Sequence, residues 1–254
     1  MEDGKDRAPE KGLGHGSDHG PDNRQAKGPI NEAAKGTANG PVLGDKGAGK
    51  SGYEKIYDWV AESLVGFDLE ANAEPLGLAP HPDGGVVVRF FERDYLVENG
   101  GAKVLDGKPT SFNHLSLVAH YAMSKGRSAA SGDFVKLSVL SGVPAGTGQG
   151  AFDRDAISKP LARKYGRDPE ALERAVLRIG GRVVPGARSQ TREYVFDAFP
   201  RIPLKLVFEE PDEEFGPEFR IMYDSRSGDY MEFEALAFLG GILMKELVGW
   251  DNPD

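Results

Sequence analysis

The spacing of apolar residues along the chain predicts helices at both ends of a folded region and near its middle. Apolar side chains recur there every three or four residues, which is the pattern of a helix with one buried face. The predicted helices cover residues 53–66, 111–124, 151–165, 168–180 and 231–248. Pro160 lies inside the third of these, so we expect that helix to be kinked or split. The fourth has the clearest boundaries, because Asp168 can cap its first turn and Gly180 can end it.

Runs of β-branched and aromatic residues predict strands between these helices. The predicted strands cover residues 86–91, 95–97, 134–139, 183–184, 194–199, 204–209 and 219–224. The first two form a hairpin, and Pro200, Pro203, Pro211 and Pro217 are expected in the turns between the later strands. Since strands occur in runs and do not alternate regularly with helices, the sequence predicts an α+β fold. We expect a mainly antiparallel sheet packed by helices in a single domain over residues 52–250.

Residues 1–51 differ in composition from the rest of the chain and are predicted to form a disordered tail. The segment is rich in Gly, Lys and Asp, and it has no aromatic residue. It therefore cannot bury enough apolar surface to offset the backbone entropy lost on folding, which is roughly 1 to 2 kcal/mol per residue.

Charge and cysteine content exclude some classes of function. The formal net charge of the chain is −9, and its basic and acidic residues cancel within the tail, so the folded region carries the excess. An acidic domain of this kind is not expected to bind nucleic acid or an anionic membrane surface. The chain has no Cys, which excludes thiol catalysis, disulfides and Cys-ligated metal centres. With neither a secretory leader nor a membrane-spanning run, we expect a soluble cytoplasmic protein.

Two patterns in the tail are similar to binding motifs. Residues Gly44 to Ser51 fit the phosphate-binding pattern G-x-x-x-x-G-K-S. That loop works between a buried strand and a helix, and only Pro41 to Leu43 precede it here, so we interpret the match as chance. His15 and His19 could share a metal ion if the segment were helical, but the surrounding glycines oppose a helix. We interpret this pair as part of a solvated tail.

A loop crowded with carboxylates between two predicted strands is the strongest candidate site. The loop and the strand end before it carry Glu209, Glu210, Asp212, Glu213 and Glu214. These side chains could converge with Asp224 on a divalent cation, or two of them could divide the acid and base roles of a catalyst. A solvated turn that discourages edge-to-edge pairing of sheets is the alternative. Phe215 follows the carboxylates directly and indicates that the turn is held against the body of the protein.

Two histidines of the predicted helix over residues 111–124 face different sides of it, because His114 and His120 are six residues apart. His120 precedes Tyr121 and could act as an acid, a base or a ligand if it opens into a cleft. A core histidine satisfied by one hydrogen bond is the alternative interpretation.

Several blocks of the folded region form a distinctive series. They are Gly52-Tyr53-Glu54-Lys55, His114-Leu115, His120-Tyr121, Lys159-Pro160-Leu161-Ala162, Tyr165-Gly166, Gly180-Gly181, Phe199-Pro200-Arg201-Ile202-Pro203-Leu204 and Asp212-Glu213-Glu214-Phe215. The last two are the most specific. Together, over roughly residues 52–248, the blocks resemble the prokaryotic family catalogued as domain of unknown function 3786.

The resemblance implies no established activity. Some relatives resemble fusions to an iron–sulfur domain, which suggests a role in metal or cofactor metabolism, but the N-terminal segment here has no Cys and cannot hold such a cluster. Relatives commonly continue the acidic turn as Asp-Glu-Glu-Phe-Pro, whereas Gly216 follows Phe215 here and Pro217 comes one residue later. The geometry of the turn is therefore expected to differ, while its carboxylates are retained.

Three hypotheses about function follow. In the first, the chain is a binding domain that holds a small ligand, a cofactor or a divalent cation in one cleft. That cleft would be lined by Asp212, Glu213, Glu214, Phe215, Asp224, His120 and Tyr121. In the second, the chain is an enzyme that uses a carboxylate pair from the turn with His120 as the acid or base. In the third, it is an interaction module that docks a basic protein on the acidic turn.

Overall fold

The computed structural model describes residues 51–140 and 153–249. The predicted tail, apart from Ser51, and the glycine-rich segment over 141–150 therefore lie outside the described residues. The same holds for the match to the phosphate-binding pattern, except for its last residue. The hydroxyl oxygen of Ser51 accepts the backbone N–H of Glu54 (3.1 Å), so this serine acts as the cap of the first helix.

Helices form where the apolar spacing predicts them, together with shorter ones that it does not predict. In chain order the α-helices are α1 (Gly52–Ser63), α2 (Leu69–Leu76), α3 (Phe112–Ala122), α4 (Leu137–Leu140), α5 (Lys159–Tyr165), α6 (Pro169–Arg178) and α7 (Phe233–Val248). A π-helical turn (Asp153–Ser158) precedes α5, and a 3₁₀ turn (Ser227–Asp229) precedes α7. The side chains of Ser111 and Asp168 cap α3 and α6, as these residue types commonly do at helix starts.

The strands form two antiparallel sheets. They are β1 (Ala79–Pro80), β2 (Val86–Phe90), β3 (Arg93–Glu98), β4 (Gly101–Val104), β5 (Phe134–Lys136), β6 (Arg182–Val184), β7 (Thr191–Phe199), β8 (Ile202–Glu209) and β9 (Glu218–Asp224). The first sheet has the order β1-β2-β3-β4 and the second has the order β5-β9-β8-β7-β6. The α+β class and the antiparallel pairing are confirmed, although the strands are divided between two sheets.

Buried residues from both sheets and from the helices form one continuous core. Strand β8 alternates buried and half-buried positions, and Leu204 and Phe208 are among the buried ones. This alternation is why apolar residues recur at every second position of the sequence there. An aromatic stack joins the two sheets to α3. The ring of Phe199 lies 4.6 Å from that of Phe90 and 4.4 Å from that of Tyr121.

Several local expectations are corrected by the structure. The strand expected over 134–139 ends at Lys136, because β5 is an edge strand with three paired residues, and the chain continues as α4. Pro203, expected in a turn, lies in β8 opposite Asp197, next to a shift in the pairing register. Helix α2 was not predicted because Pro75 lies inside it. Among the helices in the described ranges, none has the length and apolar character needed to cross a bilayer.

Candidate functional site

The acidic turn joins β8 to β9 and is closed by its own hydrogen bonds. One carboxylate oxygen of Asp212 accepts the backbone N–H groups of Glu214 (2.8 Å) and Phe215 (2.7 Å). The backbone N–H of Asp212 donates in turn to the carbonyl oxygen of Phe215 (2.9 Å). An aspartate that bonds to the backbone two and three residues ahead fixes the shape of a short loop. Asp212 therefore shapes the turn, although residues 211–216 are all exposed to solvent.

Phe215 is presented to solvent by this closed turn. Its exposed fraction is 69%, the largest of any exposed large apolar side chain in the described part of the chain. Two residues later, Pro217 packs on the backbone of Gly166, and a Cβ placed on that glycine would lie 2.5 Å from the proline Cγ. Because Gly166 has no side chain, the loop can approach the end of α5 this closely. The segment that carries Phe215 is therefore held at both ends.

A cleft of about 560 Å³ lies beside Phe215, between the start of β9 and the π-helical turn before α5. Small-molecule sites usually have volumes of roughly 300 to 1,000 Å³, so a ligand of modest size would fit. Its lining includes Lys136, Ile157, Ser158, Lys159, Phe215, Arg220 and Ile221. The hydroxyl oxygen of Ser158 accepts the backbone N–H of Phe219 (3.0 Å), which ties the π-helical turn to the strand. We call this concavity the Phe215 cleft.

Three cations line the Phe215 cleft, and two of them are paired with carboxylates. Lys159 contacts the aspartate four residues earlier (2.6 Å), and the guanidinium of Arg220 contacts the carboxylates of Glu209 and Glu218. Lys136 forms no ion pair with any carboxylate of the residues that the structure describes. Among these described residues, no carboxylate neutralises the charge of the Lys136 ammonium group.

The carboxylates around the turn do not converge on one point. Glu209 pairs with Arg220, and the hydrogen bond from this guanidinium lowers the pKa of the Glu209 carboxyl. Glu210 pairs with an arginine of β7 (2.5 Å). The side chains of Glu213 and Glu214 are exposed and have no hydrogen bond or ion pair within the described ranges. In the described part of the chain, no three side chains of His, Cys, Asp or Glu are grouped closely enough to hold a metal ion.

Asp224 is fully buried and is satisfied inside the fold. Its carboxylate accepts the backbone N–H groups of Ser131 (3.1 Å), Gly132 (2.7 Å) and Arg226 (3.0 Å), and the hydroxyl of Ser131 (3.0 Å). Burial by itself would raise the pKa of Asp224, but these donors outweigh it and hold the pKa below its ordinary value. Asp224 thus ties β9 to the loop before β5 and does not line the Phe215 cleft.

Tyr121 is also a core residue. Its hydroxyl donates to the carbonyl oxygen of Leu76 (2.8 Å) and accepts the backbone N–H of Arg201 (3.1 Å). Burial raises the pKa of the Tyr121 phenol. The side chain is wholly buried against Phe199, so Tyr121 ties α3 to α2 and to the second sheet and has no surface for a ligand.

His120 lies in a second cleft, of about 380 Å³, to which the acidic turn contributes no residue. Trp59 of α1, Met123 at the end of α3, and Tyr230 and Glu232 before α7 also line it. Burial lowers the pKa of His120, and the nearby charge of Glu232 opposes this effect. We call this concavity the His120 cleft.

The structure therefore brings together only part of the predicted site. The four residues from Asp212 to Phe215 share one turn, whereas Asp224, His120 and Tyr121 lie elsewhere. Adjacent residues of a helix point in different directions, which is why His120 reaches a cleft and Tyr121 the core. A catalyst that used the turn with His120 would need both within hydrogen-bonding reach of one substrate. The structure places His120 in a cleft to which the turn contributes no residue, and the carboxylates of Asp212, Glu213 and Glu214 do not line the Phe215 cleft either.

Lys136, Ser158 and Arg220 line the Phe215 cleft and were missed from the sequence. Whether a surface lysine is paired depends on strands that are distant in the chain, so no local pattern marks Lys136. The position of Ser158 could have been inferred from Pro160. A proline near the start of a helix indicates that the preceding residues end the turn before it.

Comparison with protein-family models identifies the family. A family model described as domain of unknown function (DUF3786) matches residues 68–246, which is more than half of the chain. The match includes every strand of both sheets and all the residues named above for the Phe215 cleft. Neither the comparison with curated proteins nor that with solved structures found a match.

Proposed function

The chain belongs to the DUF3786 family, and we propose that it is a cytoplasmic binding domain whose Phe215 cleft holds a small anionic ligand. The observation that carries the proposal is the presence of an exposed aromatic ring and an uncommitted cation at one concavity. Phe215 is 69% exposed there, and Lys136 has no carboxylate partner among the described residues. In this proposal the acidic turn acts as a support for Phe215, and its carboxylates do not bind the ligand.

The exposure of Phe215 favours a binding role because it forfeits free energy in the free protein. Full burial of a phenylalanine side chain contributes about 1.5 to 3 kcal/mol, and a ligand that covers the ring would recover part of this. The hydrogen bonds of Asp212 already order the turn. Binding therefore does not have to order the loop, which removes one of the usual entropic costs of association.

The walls of the cleft favour a ligand with an apolar body and one anionic group. Phe215, Ile157 and Ile221 offer apolar contacts, and Lys136 offers a charge-assisted hydrogen bond. The charges of Lys159 and Arg220 are already balanced by carboxylates, so they add little net attraction. A carboxylate and a phosphate would both satisfy Lys136, and these are the two ligand chemistries to compare.

Thermal and urea unfolding in the presence of phenylacetate and phenyl phosphate tests the proposal and separates the two chemistries. A compound present at a hundredfold excess over its Kd should stabilise the folded state by about 2.7 kcal/mol. The variants Phe215→Ala and Lys136→Gln should each weaken or abolish this stabilisation, because they remove the ring and the charge respectively.

Two variants serve as matched controls. Leu177→Ala removes another exposed apolar side chain (56%), and Lys55→Gln removes another exposed lysine. Neither residue lines the Phe215 cleft, so both variants should keep the wild-type response. Stabilisation that persists unchanged in Phe215→Ala and Lys136→Gln, or a lack of saturable response to either compound, would contradict the proposal.

A basic protein partner is the second candidate, and the exposure of Glu213 and Glu214 favours it. Their carboxylates lie beside the exposed ring of Phe215, so a cationic surface with an apolar patch would be complementary. A tetralysine peptide that ends in a tryptophan is a suitable probe. Binding that weakens with salt, is lost in the double variant Glu213→Gln/Glu214→Gln and survives Lys136→Gln would favour docking over the small ligand.

A further inference from the structure

The His120 cleft carries three polar groups that form no hydrogen bond with the described residues. The imidazole of His120, the indole N–H of Trp59 and the carboxylate of Glu232 have no hydrogen-bond partner in the part of the chain that the structure describes. Glu232 occupies the cap position of α7, yet its side chain makes no capping bond. Each of these groups is therefore available to a molecule that enters the cleft.

One wall of the His120 cleft is closely packed and hydrogen-bonded within the fold. The ring of Tyr230 lies directly against Gly126, since a Cβ on that glycine would be 2.4 Å from the tyrosine Cδ1 atom. The Tyr230 hydroxyl donates to the carbonyl oxygen of Ser128. Met231, beside it, is only 2% exposed and belongs to the core. This wall exists before any ligand arrives, which lowers the entropic cost of binding.

The charges and rings in the cleft define the ligand that it would accept. Trp59 is 39% exposed, and an indole face attracts cations more strongly than any other side-chain ring. Glu232 supplies a negative charge, and burial lowers the pKa of His120, which disfavours a charge on the imidazole that would repel a cation. Lys125 and Asp229 also line the cleft with opposite charges. The net charge of the lining is therefore negative.

We propose that the His120 cleft is a second binding site, for a small planar cation such as an aromatic amidinium or a protonated aminoheterocycle. The ring of the ligand would stack on Trp59, its N–H groups would pair with the carboxylate of Glu232, and His120 would accept a further hydrogen bond. The two clefts of the chain would then take ligands of opposite charge. This site does not depend on the function proposed for the Phe215 cleft.

Benzamidine is the probe for this site, and benzamide is its neutral counterpart of nearly the same shape. Calorimetric titration should show saturable binding of benzamidine, and benzamide should bind at least about tenfold more weakly because it lacks the charge. NMR signals of the His120 ring should shift with the same dissociation constant. The variants Trp59→Leu and Glu232→Gln should each weaken benzamidine binding about tenfold or more.

Two further variants distinguish a loss of binding from a loss of the folded structure. Glu234→Gln removes a carboxylate of the same first turn of α7 that does not line the cleft, so its affinity should stay within about twofold of wild type. Lys125→Gln removes the competing cation and should tighten benzamidine binding, a gain that an unfolded variant cannot produce. The proposal is overturned if benzamidine does not saturate by about 10 mM, if benzamide binds equally well, or if Glu232→Gln binds as tightly as wild type.

Discussion

The sequence assigns Asp224 and the carboxylates of the turn to one acidic site, but the structure places them in opposite environments. Asp224 is withdrawn from solvent and accepts four hydrogen bonds, whereas Glu213 and Glu214 stay at the surface. The donor from Ser131 to Asp224 lies 93 residues away in sequence. The donor from Phe215 to Asp212 lies three residues away. A carboxylate becomes a structural element when the fold brings distant donors to it, and local sequence does not reveal this.

The same comparison explains why an aromatic ring, and not the acids, marks the candidate site. Carboxylates at the turn are paired with arginines, as Glu209 is, bonded to the backbone of the turn, as Asp212 is, or solvated. Water stabilises an exposed carboxylate well, so its exposure indicates little. An exposed phenylalanine on an ordered turn is less favourable in water, and its position beside a cleft therefore indicates a contact with another molecule.

Removal of the Asp224 carboxylate should give the largest effect on stability. In Asp224→Ala the backbone N–H groups of Ser131, Gly132 and Arg226 and the Ser131 hydroxyl lose a charged acceptor, and we expect a loss of about 3 to 5 kcal/mol in the free energy of unfolding. Urea denaturation followed by circular dichroism measures it. Asp229→Asn, at an exposed aspartate of the same region, is the control and should change stability by less than about 0.5 kcal/mol. A loss below about 1 kcal/mol in Asp224→Ala would contradict the structural role.

As the pH falls, we expect the fold to be destabilised first because a buried histidine, His114, resists protonation. The Nδ1 of His114 lies 3.4 Å from the Tyr95 hydroxyl oxygen, and its Nε2 lies 3.9 Å from a carboxylate oxygen of Glu246. Burial, with the charges of Arg93 and Lys245, lowers the pKa of His114 from 6.5 to about 4. As the pH falls from 6.5 to 4, the unfolded chain binds a proton that the folded chain does not. The free energy of unfolding should therefore fall by about 3 kcal/mol over this range.

The variant His114→Gln isolates this contribution, because it removes the titrating group. Unfolding by urea at several pH values should give a shallower loss of stability between pH 6.5 and 4 than in wild type. His120, whose pKa is also lowered, contributes in the same direction to both proteins and cancels in the difference. Asp224 does not contribute to the slope between pH 6.5 and 4. The stability that its lowered pKa contributes is lost only as the pH falls below about 3.8. Equal slopes in wild type and His114→Gln would contradict the assignment.

Much of the fold can be predicted from the sequence, because helices and strands with one buried face repeat their apolar residues at fixed spacing. Helix α6, with Asp168 and Pro169 at its start, is such a case. The spacing of apolar residues does not predict that the strands form two sheets, since this depends on which strands pair with each other. The site was predicted in part: Phe215 and its turn are local features, whereas Lys136 and the donors of Asp224 come from distant segments.

Substitution at Asp212 should give an intermediate effect, because its donors are local. Asp212→Ala removes the acceptor for the backbone N–H groups of Glu214 and Phe215, which can then bond to water. We expect a loss of about 1 kcal/mol in the free energy of unfolding, as for the removal of a helix cap. Asp212→Asn keeps an acceptor oxygen and should recover most of it. Affinity at the Phe215 cleft should fall in Asp212→Ala even where the fold is intact, and unchanged affinity would show that the turn does not position the ring.

The smallest effect is expected at Glu213 and Glu214, and it tests the other half of the comparison. Their carboxylates are exposed and make no hydrogen bond or ion pair within the described ranges, so neutral glutamines lose no contact. The double variant Glu213→Gln/Glu214→Gln should change the free energy of unfolding by less than about 0.5 kcal/mol. Urea denaturation at low and at high salt measures this. A loss of 2 kcal/mol or more would mean that these carboxylates have folded-state partners, as Asp224 does, and would remove the contrast between the two regions.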